Sequence, residues 1–450
     1  MTFNPCGPGP VVIAHRGASA IAPENTLAAL SMAITLGAPL VEVDVQLGVD
    51  GTLICVHDTT LARTHGVDLP VADMTVADAA TLMVQPHLFG HPAWGPQPTP
   101  TLDRVFAEFG RAPVTWLVEA KAPSGTDAAE WARIGEAIVA CARRWGVASR
   151  TIVSGFHREP GYAAIRNGIP ACFNATRGAD DPYVLSQEGF SYYGMRLDAD
   201  EDNIAAAHAV GLKVLPYTVN RHVDRDRLAA LGVWGIVTDQ PWYLSRDYQP
   251  APGPVYTTPA WPHGHLPSPV TPVDGQVDGG GLVLASPSLA AGDADNYTAV
   301  IAGAVSGWSA AHARQVCVDV DVELLAAGGP SRSAQIHLAE TDIGYDDNHH
   351  GRVDAYNVLV RADGELALWA AVDGAAIELA TAQGPPLAVS ETAPARVSLQ
   401  LRVNGPRVEV TRTDTSPPVT VATDNEQVQP RYVGLGVRAA KARFLDLRLR

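Results

Sequence analysis

Two short stretches of the chain alternate apolar and charged residues in a way that concentrates chemistry. In Val41-Glu42-Val43-Asp44-Val45 the two-residue period of a strand puts Glu42 and Asp44 on one side and the valines on the other. In Leu117-Val118-Glu119-Ala120-Lys121 the same period places Glu119 beside Lys121. Carboxylates that point into an enclosed interior repel one another and lose hydration, so a bound cation or fixed Lys and Arg must offset them. Oxygen-only ligands suit Ca²⁺ or Mg²⁺ better than a tetrahedral zinc. Glu119 would complete a three-carboxylate cation site, and Lys121, one of only three lysines in the chain, would offer a point charge to a phosphate. The competing readings are a surface strand with one wet face and an internal Glu119–Lys121 salt bridge.

Two histidines accompany these carboxylates. The first apolar run ends in His15-Arg16-Gly17, and a short extended return after Asp50-Gly51 ends in Val56-His57-Asp58. Two imidazoles at one site would serve as a general acid–base pair near neutral pH, although a lone histidine at a strand end is more often structural. His65, His87 and His91 read as loop histidines, and His349-His350 as exposed turn residues.

The elements that must position these side chains run from residue 10 to residue 248. Strands are expected at Val11–His15, Leu40–Val45, Thr115–Ala120, Thr151–Gly155, Ala171–Asn174, Tyr192–Leu197, Lys213–Val219 and Gly235–Thr238. Most are continuous apolar runs, the pattern of parallel strands covered on both faces. Segments with helical spacing separate them, and eight such units in roughly 230 residues match a TIM barrel in count and size. No glycine-rich phosphate turn follows the first strand, which argues against a doubly wound sheet. In a barrel the carboxyl ends of the strands carry the site. Residues from Thr52 to Thr99 read as a loop-rich excursion over one mouth.

A proline-rich stretch, residues 249–273, reads as a semi-rigid linker or a domain-wrapping segment. From 274 to 450 helical spacing fades and strands take over: Cys317–Leu324, Ala334–Ala339, Ala355–Arg361, Leu366–Val372, Arg396–Val403, Arg407–Arg412, Tyr432–Val437 and Arg443–Leu449. Turn pairs such as Asp363-Gly364, Asp373-Gly374 and Asn404-Gly405 punctuate them, as in an all-β sandwich or jelly roll.

The 450 residues carry 48 Asp and Glu against 32 Lys and Arg, a net charge of −16, which argues against nucleic acid and anionic membrane surfaces as partners. No apolar run of about 18 residues is present, so no transmembrane helix is expected. Met1 to Pro10 lacks a basic and an apolar signal region, and cytoplasm is the default location. The five cysteines are scattered and odd in number, which suits reduced core thiols.

Taken in order, His15 to Thr26 (HRGASAIAPENT), Glu42 to Thr64 (EVDVQLGVDGTLICVHDTTLART), Val118 to Lys121 (VEAK) and the closing Val237 to Pro241 (VTDQP) resemble the glycerophosphodiester phosphodiesterases. That resemblance implies a TIM barrel of the phospholipase-C-like phosphodiesterase type. The implied reaction is hydrolysis of small-molecule glycerophosphodiesters to sn-glycerol 3-phosphate and an alcohol with a divalent cation. It further implies His15 and His57 as the acid–base pair, with His15 favoured as base. Glu42, Asp44 and Glu119 would be the metal ligands, and Arg16 and Lys121 would bind phosphate. The chain departs from the family pattern at Tyr217-Thr218-Val219-Asn220, where a tryptophan is usual first, and at Ser154-Gly155-Phe156, where Ser-Phe is usual; Tyr217 becomes a candidate substrate-binding residue. The C-terminal run Tyr432 to Val437 followed by Phe444 to Leu447 is similar to a concanavalin-like jelly roll, with a glycan as candidate ligand. Trp308, Tyr345 and Trp369 would then be candidates for sugar stacking, with core packing as the competing explanation for each.

Other readings explain less. A retaining glycosidase would use strand-end carboxylates but leaves both histidines, Arg16 and Lys121 without a task. Choline, lysophospholipid or sugar phosphodiesters are the alternative substrates, and a glycan-binding protein is the alternative class.

Overall fold

The computed structural model describes residues 9–85, 94–176, 181–197, 201–245, 276–278, 281–286, 289, 297–304, 315–340, 354–372, 375–425 and 427–449. His87, His91, Trp308, Tyr345, His349, His350, the 249–273 segment and the Asp373-Gly374 turn lie outside the described residues. The chain divides into two compact units, residues 1–220 with 224–246 and residues 221–223 with 247–450.

In the first unit eight strands form one parallel sheet: β1 Val11–Ala14, β2 Leu40–Leu47, β3 Thr115–Ala120, β4 Thr151–Gly155, β5 Ala171–Asn174, β6 Tyr192–Arg196, β7 Lys213–Tyr217 and β8 Gly235–Thr238. Their order is β7-β6-β5-β4-β3-β2-β1-β8. Between β7 and β8 the Trp234 N–H donates to the Val214 carbonyl at 3.1 Å and the Val219 N–H to the Val237 carbonyl at 2.8 Å, which brings the sheet ends together as a barrel. All eight expected strands are present. They are apolar on both faces because helices cover the outside and side chains fill the inside. Ile13, Leu40, Leu117, Ile152, Cys172, Tyr192, Leu215 and Val237 form the inner core. Residues two further along the same strands therefore point into the barrel at its carboxyl end.

After β2 the chain turns at Gly48–Gly51 and returns antiparallel, with Ile54 opposite Gln46. The return strand is shorter than expected, Leu53–Ile54 only. Beyond it the buried Gln46 side chain takes over from the ladder, its Nε2 donating to the carbonyls of Val56 at 2.9 Å and Asp58 at 2.7 Å. The excursion has its own small core of Ile54, Val56, Leu61, Val71, Met74 and Ala79. Its helix Val76–Thr81 opens with a reciprocal Thr75–Asp78 capping box.

The second unit contains a seven-stranded and a six-stranded sheet, and one apolar cluster draws on both. Each of the eight strands expected there is present. Five others were not legible: Gln276–Asp278, Gly281–Ala285, Tyr297–Ala304, Ala375–Gln383 and Val419–Asp424. Four of these are the four outer edges of the two sheets, where a strand has fewer neighbours and a weaker burial pattern. Trp369 is half-buried and lies outside that apolar cluster. Leu368 and Ala370 join the apolar cluster, so alternation turns Trp369 to the opposite face of its sheet, and its buried indole N–H has no partner among the described residues. Cys55, Cys141 and Cys172 are buried free thiols and Cys317 is half-buried. Among the described residues no helix is long and apolar enough to cross a membrane.

Candidate active site

Glu42, Asp44 and Glu119 converge at the carboxyl ends of β2 and β3, with one oxygen from each lying within 4.8 Å of the others. Glu42 and Asp44 are each 1% exposed and Glu119 is 9% exposed, which removes the wet-strand reading. Among the described residues Glu42 Oε1 and Asp44 Oδ1 are buried without a hydrogen-bond donor, whereas Glu119 Oε1 carries the Lys121 ammonium. Buried carboxylate oxygens are normally satisfied, so two orphans clustered with the Glu119 carboxylate fit a hard divalent cation.

The surrounding charges fall short of neutrality. Lys121 Nζ pairs with Glu119 and approaches Asp44 Oδ1 at 3.6 Å. Arg16 Nε lies 3.1 Å from Asp44 Oδ2. Two cations thus face three carboxylates. Burial and the neighbouring Asp44 carboxylate push Glu42 up to about 8. Burial acts on Asp44 in the same sense, but Arg16 and Lys121 prevail and hold it well below the ordinary carboxylate range. Burial would lower Lys121, yet the carboxylates of Glu119 and Asp44 keep its ammonium pKa above the usual value.

The loop after β1 supplies Arg16 in a strained conformation. Arg16 and Asn25 both adopt left-handed backbone, at φ 55° and 56°. That turn aims the Arg16 N–H at Glu42 Oε2, 2.6 Å away, while the guanidinium reaches Glu24 at 3.0 Å. Gly17 follows at φ 83°, where a Cβ would lie 2.5 Å from the Ala29 carbonyl carbon, so only glycine fits. Asn25 donates to Asp44 Oδ2 at 2.9 Å and accepts from the Asp44 N–H at 3.1 Å. Thr26 then caps the helix Leu27–Thr35.

Each histidine has its Nδ1 against a carboxylate. His15 Nδ1 is 2.6 Å from Asp239 Oδ1, and Asp239 is held by Asn220 Nδ2 at 2.6 Å and Ser19 Oγ at 2.9 Å. Burial pushes His15 down, but the Asp239 charge and hydrogen bond outweigh it, so its pKa sits above the ordinary histidine value. His57 Nδ1 is 2.7 Å from Asp58 Oδ1. Asp58 Oδ2 accepts from Arg63 Nε at 2.6 Å, and Arg63 spans to Glu24 at 2.7 and 2.8 Å. An ion-pair chain therefore ties the turn carrying His57 to the loop carrying Arg16.

These groups line one cavity of about 230 Å³ together with Ser154, Phe156, Asn174, Tyr217 and Thr218. Every residue singled out in the sequence as catalytic, metal-binding or substrate-binding borders this cavity except Asp44, which clusters with Glu42 and Glu119. Tyr217 presents its ring, since its hydroxyl donates to the Ala175 carbonyl at 2.9 Å. Sequence reasoning did not single out Asp239, Gln46, Glu24, Asn25, Asp58, Arg63 or Asn174. All but Asn174 stood inside quoted motifs, and for Asp58 and Asp239 the available signal was an acid next to a candidate histidine or at the close of the last strand. His65 is no loop histidine on the surface but is 6% exposed and held between Thr64 and Thr99.

A parallel eight-stranded barrel with acids, histidines and cationic side chains at its strand ends defines a class of enzymes that act on charged substrates at the barrel mouth. The profile of the glycerophosphoryl diester phosphodiesterase family matches residues 15–242, and the chain belongs to that family. It is 32% identical over 237 residues to a glycerophosphodiester phosphodiesterase of Caldanaerobacter subterraneus subsp. tengcongensis, covering 51% of this chain and 94% of that protein. It is 27% identical over 257 residues to a glycerophosphodiester phosphodiesterase of Bacillus subtilis strain 168, covering 51% and 84%. Among solved structures, an Oleispira antarctica phosphodiesterase in complex with the product sn-glycerol-3-phosphate is similar at 25% identity and a TM-score of 0.46, covering 52% of this chain and 94% of that one.

Proposed function

We propose that the barrel hydrolyses glycerophosphodiesters to sn-glycerol 3-phosphate and an alcohol, with a divalent cation held by Glu42, Asp44 and Glu119. The observation that carries this reading is the pair of carboxylate-backed histidines, His15 and His57, bordering the same cavity as Glu42 and Glu119 of the three-carboxylate cluster. When bound, the cation would neutralise charge on the phosphoryl oxygens as it builds in the transition state.

The chain's own residues perform the remaining tasks. Arg16 and Lys121 bind the phosphodiester anion, and their own carboxylate partners fix them in place, so little reorganisation accompanies binding. His15 removes a proton from the nucleophile, either water directly or the neighbouring glycerol hydroxyl, whose cyclic phosphate product water then opens to glycerol 3-phosphate. Its Nδ1 faces Asp239, so Nε2 is the nitrogen available to accept, and the carboxylate stabilises the imidazolium that results. His57, backed by Asp58, gives a proton to the departing alkoxide, which would otherwise leave poorly. Glu42, Asp44 and Glu119 hold the charge balance of the site.

The test is product analysis on glycerophosphocholine and glycerophosphoethanolamine with Ca²⁺- or Mg²⁺-loaded and chelated protein. Glycerol 3-phosphate should appear in equal amount to the free alcohol and should vanish on chelation. Release of phosphocholine with glycerol, or turnover that survives complete chelation, would contradict the proposal.

A further inference from the structure

His57 is the more weakly housed of the two histidines. Its side chain is 32% exposed and that of Asp58 behind it 30%, against 17% for His15. The strand that leads to it has only two ladder residues, Leu53–Ile54. Water therefore competes for the Asp58 oxygens, and a carboxylate with one protein partner is free to turn away. Arg63 removes that freedom. It stands on the short helix Ala62–His65, which ends at Gly66 in left-handed backbone with φ 74°. The helix is anchored from behind: His65 Nε2 lies 2.7 Å from Thr99 Oγ1, and the Thr64 carbonyl accepts from the Gln85 N–H at 2.7 Å.

All three guanidinium nitrogens are engaged. Nε donates to Asp58 Oδ2 at 2.6 Å, while Nη1 and Nη2 take both oxygens of Glu24 at 2.8 and 2.7 Å. Burial would raise Asp58, but the hydrogen bonds from Arg63 and His57 prevail, so it stays a charged acceptor below the ordinary carboxylate range. Glu24 is itself held by Arg16 Nη1 at 3.0 Å, on the same oxygen that accepts Arg63 Nη2. Arg63 is 40% exposed, and an exposed ion pair contributes little to stability. A rigid fork joining two loops serves position instead, and the single ammonium of a lysine cannot reproduce it. Arg63 does not border the cavity, so it acts through its partners. Resting on the proposed role of His57 as the acid, we infer that Arg63 is a positioning residue for proton transfer to the departing alkoxide. It fixes Asp58, and through Asp58 the His57 ring, against the carboxylate that also fixes Arg16. The phosphate clamp and the proton donor thus share one reference point, Glu24.

The experiment compares kcat/KM for alcohol release from glycerophosphoethanolamine and from glyceryl para-nitrophenyl phosphate by the cation-loaded enzyme. The first leaving group needs a proton as it departs, whereas para-nitrophenolate leaves without one. His57→Ala should lose roughly 1,000-fold on the ethanolamine diester and less than about ten-fold on the nitrophenyl diester. Arg63→Gln should show the same signature at smaller size, roughly 30-fold against less than about three-fold, because a misplaced acid still delivers some protons. Arg63→Lys keeps the charge without the fork and should behave like Arg63→Gln; it carries the test if thermal unfolding shows that Arg63→Gln does not fold. Equal losses on the two diesters in the Arg63 variants, as a merely structural role would give, or no loss on either, would overturn the inference alone when His57→Ala keeps its signature. Equal losses on the two diesters in His57→Ala would overturn the acid assignment and the inference with it. No turnover of either diester by the wild type would overturn the underlying reaction.

Discussion

At the scale of single residues, the site works by giving each reactive group a fixed partner of opposite charge. His15 shows the consequence most clearly. Burial alone would lower its pKa below the ordinary value, and Asp239 reverses the sign. Asp239→Asn keeps the shape and removes the charge, so the acidic limb of the kcat/KM profile should move to lower pH. Turnover at the optimum should fall by roughly 100-fold or more, because His15, the proposed base, loses both its orientation and the charge that stabilises its protonated form. A pH–rate profile of the folded variant checks both; an acidic limb that stays in place would show that His15 does not titrate in the profile. The carboxylates and Lys121 were legible in the sequence because period-two alternation puts rare charged residues on the interior side of apolar strands, and the histidines and Arg16 because they end extended runs inside the motifs that carry the family resemblance. Their partners were not. Asp239 comes 224 residues after His15, and Arg63 comes 39 after Glu24, so only the fold brings them together.

At the scale of elements, the barrel strands were readable almost to the residue because parallel strands buried on both faces are nearly continuous apolar runs. The return after β2 was read too long, since Gln46 replaces the ladder from Val56 onward and no strand propensity reports a side chain that binds three carbonyls. This substitution of a side chain for a strand predicts a separable effect. Gln46→Leu should leave the buried carbonyl of Val56 and its neighbours without their donor, costing about 1–3 kcal/mol of stability. It should also loosen the turn that presents His57, so kcat should fall by more than KM rises. Denaturant unfolding and steady-state kinetics on the same preparation measure both; unchanged kcat in the destabilised variant would show that the turn is positioned by other contacts. The edge strands of the second unit escaped the sequence for a different reason. Ala375–Gln383 is largely exposed and rich in alanine, so neither burial pattern nor β-propensity marks it.

At the scale of the whole molecule, each compact unit has its own core, and each also buries a neutral histidine. His337 in the second unit is 1% exposed; burial outweighs its hydrogen bond to Asn357 and pushes it down to about 4. The unfolded chain takes up this proton near 6.5 while the folded chain resists until about 4, so stability is fully present above 6.5 and is lost as pH falls toward 4. Up to roughly 3 kcal/mol is at stake from this group, and denaturant midpoints of wild type and His337→Gln between pH 7 and 4.5 should converge if the effect is its own. A wild-type midpoint with the same pH slope as the variant would contradict this. The central claim concerns the first unit, where one cavity is lined by both histidines and by Glu42 and Glu119 of the carboxylate cluster. It is tested most directly by quantifying glycerol 3-phosphate released from glycerophosphoethanolamine at saturating Ca²⁺ or Mg²⁺ by wild type, His15→Ala, His57→Ala and Glu42→Gln in parallel. Stoichiometric release by the wild type, with each histidine variant silent and the Glu42 variant requiring more cation, is the predicted result. A silent wild type, or a histidine variant with near-normal release, would contradict it.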